Sequence, residues 1–149
     1  MLKWLKENAE KAHANLSAEV SKFKNRSFME AVVAGCALVA AADGEISSDE
    51  KQKMAGFIQR AEELKHFEMS QVIAAFNKTA GDLEFDHAIG KASAFQVIGR
   101  IKGKEDQSRL LIRVVCAIGA ADGDFDPDER AVVTEICKEL GLTPSDFDL

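Results

Sequence analysis

Two clusters of carboxylates carry the densest ligand chemistry in the 149-residue chain. The first lies in Ala41-Ala42-Asp43-Gly44-Glu45-Ile46-Ser47-Ser48-Asp49-Glu50, the second in Ala120-Ala121-Asp122-Gly123-Asp124-Phe125-Asp126-Pro127-Asp128-Glu129. They are related by a constant offset of 79 residues, which points to two similar halves. Part of this pattern is local helix punctuation. Gly44 and Gly123 suit a left-handed stop. Ser47 with Glu50 forms a capping box, and Asp126, Pro127 and Glu129 form a second start signal. Ile46 and Phe125 stand where a hydrophobic staple would begin.

Capping uses two or three of these carboxylates and leaves a surplus. The stretch D-G-x-[IF]-x-x-x-E matches the second half of an EF-hand loop, but the first and third ligand positions fall on Val39 and Ala41, and on Ile118 and Ala120. None of these ligates through its side chain, so neither copy is an EF-hand. Two readings stay open: solvated helix caps, or hard oxygen ligands for a divalent cation, Ca²⁺ foremost, in another geometry. The candidate ligands are Asp43, Glu45 and Glu50 from one turn and Asp122, Asp124 and Glu129 from the other. A helix N-terminus already stabilises Glu50 and Glu129 and repels a cation, which favours Asp43 and Asp122 within the set.

Other site chemistry is sparse. His13, His66 and His87 have no metal-ligand spacing and read as surface or boundary residues. Asp86 adjoins His87, but neighbours in a helix do not face one another. No phosphate-binding glycine motif and no nucleophile–base pairing occurs, so no enzymatic activity is expected. Cys36, Cys116 and Cys137 form no C-x-x-C pair and sit on apolar helical faces, which predicts buried, inert thiols of a reducing cytoplasm.

The elements that position the acidic turns read as helices. Leu5, Ala9, Ala12, Leu16, Val20 and Phe23 recur at spacings of three or four, predicting an amphipathic helix over 2–23. With Trp4 and flanking lysines, its stripe suits a core cover or an interfacial docking helix. Ser27 is the expected cap of a second helix to residue 42, apolar on nearly all sides yet too short to span a bilayer. Its Gly35 and alanines would let neighbouring helices approach closely. A third helix is expected over 47–64 and a fourth from the Ser70 cap to Thr79, broken at Ala80-Gly81-Asp82. After a linker at 83–86, Asp86 caps a fifth to Ile101. A sixth starts near Asp106 and carries the apolar run at 110–118. A seventh spans 127–140, and Thr143-Pro144 begins a last turn. The fold class expected is all-α: a single domain over 1–149, a bundle of about seven helices built as two pseudo-repeated helix-turn-helix halves. An N-terminal helix (1–24) precedes a first half at 27–80 and a second at 83–142. The second and sixth helices should be the most buried.

Composition agrees with a packed globular chain, at 46% hydrophobic and 30% charged residues. The net charge of −6 argues against a nucleic-acid partner. Residues 1–26 hold six basic and three acidic side chains, so the remainder carries −9. No signal peptide is evident at the N-terminus.

The repeated A-A-D-G-x-[IF]-x-x-[DE]-E resembles the TerB-like tellurite-resistance proteins. The flanks extend the resemblance over nearly the whole chain: Phe23-Lys24-Asn25-Arg26-Ser27-Phe28-Met29, Glu50-Lys51-Gln52-Lys53-Met54, Phe76-Asn77-Lys78, Phe85-Asp86-His87-Ala88-Ile89-Gly90-Lys91 and Gly141-Leu142. It implies an all-helical, non-enzymatic cytoplasmic protein of tellurite resistance and stress response, whose clustered acids bind metal. It also implies association with a membrane-bound TerC-like partner and other tellurite-resistance proteins. The basic, apolar-striped N-terminal helix is the expected contact for a peripheral position at the inner membrane.

Overall fold

The computed structural model describes residues 7–121 and 125–149. Among them are seven α-helices and no strand: α1 (Ala9–Val20), α2 (Arg26–Ala40), α3 (Ser48–Arg60), α4 (Met69–Phe85), α5 (His87–Gly99), α6 (Glu105–Gly119) and α7 (Pro127–Glu139). Short 3-10 turns follow α3 at Glu62–Leu64 and α7 at Pro144–Phe147. No helix among the described residues is long and apolar enough to cross a membrane.

The caps decide the boundaries. Ser47 and Glu50 form the expected capping box at α3, and Asp126 and Glu129 form another at α7, with Pro127 in the first turn. Asp86 caps α5 by accepting the Ile89 N–H at 3.0 Å. At α2 the cap is Asn25, not Ser27: the extended Asn25 accepts the Phe28 N–H at 2.8 Å, and Ser27 falls inside the first turn. α3 stops at Arg60 because Ala61 turns extended. α4 starts at Met69 and continues through Ala80-Gly81-Asp82 to Phe85. An interior glycine costs about 1 kcal/mol against alanine, but Ala80 and Leu83 are buried there, and packing overrides propensity. The expected linker at 83–86 therefore contracts to Asp86. Ile46 and Phe125 do not act as staples, since the facing helical positions are Lys51 and Arg130. Ile46 is buried in the core, and Phe125 packs on Gly119.

α2 is the hub, packing against α3, α4, α5, α6 and α7. Eleven of its fifteen residues are buried, as are ten of fifteen in α6, while none of the other α-helices buries more than four. Gly35 makes the α2–α6 crossing close: a Cβ there would stand 2.8 Å from Val115 Cγ2. α1 lies across α6 and the Glu62–Leu64 turn. Its Ala12, Leu16 and Val20 are buried in the common core, so that stripe faces protein. Of the N-terminal segment, Met1 to Lys6 lie outside the described residues, Leu5 and Trp4 among them.

Candidate functional site: the cavity between the acidic turns

The C-terminal ends of α2 and α6 meet: a Cβ on Gly119 would stand 3.2 Å from Val39 Cγ1. α2 passes into its turn at Ala41, where Gly44 adopts a left-handed φ of 105° that any other residue would hold under strain. The turn then re-enters helix at Ser48. α6 ends at Gly119 and α7 begins at Pro127. A cavity of about 220 Å³ is lined by Asp43 and Glu50 from the first acidic stretch and by Asp126 and Glu129 from the second. Lys53 and Phe57 of α3 complete its wall.

The carboxylates around it differ in how they are held. The Glu50 N–H donates to Ser47 Oγ at 3.1 Å, and the Ser47 N–H donates to Glu50 Oε1 at 2.9 Å. At α7 the Glu129 N–H donates to Asp126 Oδ1 at 2.8 Å, and the Asp126 N–H donates to Glu129 Oε1 at 3.0 Å. Each of these three carboxylates thus commits one oxygen to a helix start, whose positive end favours the anion. Asp43 caps no helix. Its Oδ1 accepts only a long bond, 3.3 Å, from the Glu45 N–H across the turn.

Of the six expected ligands, Asp43, Glu50 and Glu129 line the cavity. Glu45 is exposed and does not line it. Asp122 and Asp124 lie outside the described residues. The donor chemistry suits a hard divalent cation, since every acidic group here is an oxygen ligand. Among the described residues, however, no three His, Cys, Asp or Glu side chains are grouped to hold a metal ion. The sequence reading missed Asp126 as a cavity residue, having assigned it only to the cap, and missed Lys53 and Phe57. The latter two had a signal: Glu50, Lys53 and Phe57 recur at helical spacing along one face of α3.

Two other groups of site-forming residues behave differently from each other. The cysteines are free and buried, as expected. Burial pushes the Cys36, Cys116 and Cys137 thiols up, away from the reactive thiolate. The histidines are half-buried boundary residues, within the expected reading. His13 Nδ1 is hydrogen-bonded to the buried Glu63, and His66 Nε2 lies 3.0 Å from Ser17 Oγ.

Comparison with known proteins points the same way as the turns. The family model described as "Tellurite resistance protein TerB" matches residues 29–149. A relative from Alcaligenes sp, "Tellurium resistance protein TerB", is 41% identical over 99 residues, covering 66% of this chain and 81% of the relative. No solved structure matches the chain. With both acidic turns and nearly all of the helices on either side of them inside the matched region, the chain belongs to the TerB family of tellurite-resistance proteins.

Proposed function

We propose that the chain acts in tellurite resistance without catalysing a reaction, as a scaffold whose two acidic turns take up a divalent cation, Ca²⁺ foremost. The observation that supports this reading is one cavity lined by Asp43 and Glu50 of the first acidic stretch and by Asp126 and Glu129 of the second, 79 residues on in sequence. Carboxylates facing each other repel, and a divalent cation relieves that repulsion. Asp43 and Asp122 are the principal ligands in this proposal; Glu45 and Asp124 belong to the ligand set by their place in the repeat alone. Glu50 and Glu129, each held by a capping box, are secondary ligands in this proposal. When bound, the ion supplies charge neutralisation and a fixed spacing between the turns. Docking to a membrane-bound TerC-like partner and to other tellurite-resistance proteins belongs to the same proposal and rests on the family alone.

The test is thermal unfolding and calorimetry with Ca²⁺, Mg²⁺, Mn²⁺ and Zn²⁺ in turn. A ligand that binds only the folded state stabilises it by about 2.7 kcal/mol at a hundredfold excess over Kd. The expected result is a Ca²⁺-dependent rise in Tm that Asp43→Asn combined with Asp122→Asn abolishes, at unchanged helix content. The two complete capping boxes favour a second reading, a metal-free acidic interaction module. Absence of heat and of stabilisation with all four ions at millimolar concentration would leave that reading standing.

A further inference from the structure

A second cavity, of about 410 Å³, opens between α1, α3 with its following 3-10 turn, and the C-terminal end of α6. Its walls are largely apolar, built from Ala14, Phe57, Ala61, Ala117 and Ile118. Glu63 lines it and is 0% exposed. Glu63 Oε1 is engaged by His13 Nδ1, while Oε2 is buried with no hydrogen-bond partner among the described residues. Leaving a buried carboxylate oxygen unpaired is among the most unfavourable arrangements in a protein interior. The surrounding charges do not supply the missing donor. Glu10 and Glu62 line the same cavity and add to the acidity, and Arg60, which also lines it, stands 5.9 Å from the Phe57 ring centroid.

We propose that this cavity is a binding site for an alkylammonium or alkylguanidinium group, with Glu63 Oε2 as its acceptor and the Phe57 ring as its aromatic contact. Three features of the site select that chemistry. A charged donor makes a charge-assisted bond to the orphaned oxygen, which an alcohol or amide does not match. The acidic lining of Glu10 and Glu62 favours a cation over an anion. An aromatic face and alanine walls accept the alkyl stem and the cation together. His13 acts as a positioning residue: it lines the cavity, its side chain is 32% exposed, and its Nδ1 holds Glu63 Oε1. A free amine and the side chain of a partner's lysine or arginine carry the same group.

The experiment titrates the full chain with butylammonium, following alanine methyl resonances by NMR. Saturable shifts are expected at Ala14, Ala61 and Ala117, with a Kd in the millimolar range usual for so small a ligand. Butanol, the uncharged analogue, should bind at least about tenfold more weakly. Glu63→Gln keeps the side-chain shape and should weaken butylammonium by roughly tenfold or more. Ala14→Leu changes an exposed residue of α1 and should obstruct the site without touching the core. Asp43→Asn with Asp122→Asn should leave the titration unchanged, which separates this site from the acidic turns. Competition by an acetylated, amidated lysine assigns the source to a basic side chain. Failure of that lysine to compete, with butylammonium still bound, assigns it to a free amine. Absence of saturable shifts, equal binding of butanol, or full affinity in a folded Glu63→Gln protein overturns the proposal.

Discussion

Cys137 ties the stability of the fold to alkaline pH. Burial pushes its thiol up from 9.0 to about 11, Arg109 opposes the shift and Asp146 adds to it. The folded chain therefore holds this proton more tightly than the unfolded one. The contribution is complete below pH 9 and is lost as pH rises through about 11. Two pH units set an upper bound of about 3 kcal/mol on this contribution. Urea unfolding at pH 8, 9.5 and 10.5 should show a midpoint that falls, and Cys137→Ala should flatten part of that fall relative to the native chain. That these thiols are buried was legible in the sequence, because each lies within an apolar helical stripe. The environment of His13 was not. Its partner Glu63 is 50 residues away, and no local spacing connects an α1 histidine to a residue beyond α3.

α2 and α6 are held together at Gly35, and the crossing has no room for a methyl group on that residue. Gly35→Ala places a Cβ 2.8 Å from Val115 Cγ2, so the overpacking should cost about 1–3 kcal/mol. Adding Val115→Ala should recover part of the loss, and a double-mutant cycle in denaturant measures the coupling. Additive losses would show that the two residues do not meet. The close helix approach was readable from the glycine within its run of alanines. The capping boxes and the Asp86 cap were equally readable, because each depends on residues three apart. What the sequence obscured was α4. Ala80-Gly81-Asp82 carries the local signature of a break, and only burial of Ala80 and Leu83 against the rest of the bundle keeps the helix intact. The acidic turns were recognisable as a pair from their repeat. That they share a cavity depends on the helix crossing, which lies outside either turn.

For the whole molecule, α1 is part of the body. Leu16, 4% exposed, packs in the same core as α2 and α6, and Leu16→Ala should lower the stability by about 3 kcal/mol in equilibrium unfolding. A change below about 0.5 kcal/mol, the size of an ordinary surface substitution, would mean that α1 is an appendage. The position of α2 has a consequence for exchange of amide protons with solvent. A helix covered by five others has no partial opening that exposes it, so its amides should exchange only when the whole chain unfolds. The Asp43 turn hangs from the end of that helix, exposed, and its amides open locally at far lower cost. Anything that clasps the turn in the folded state would therefore slow exchange in α2, in residues it never touches, by the full binding free energy. The slowest protons in the molecule would report on a solvent-exposed turn.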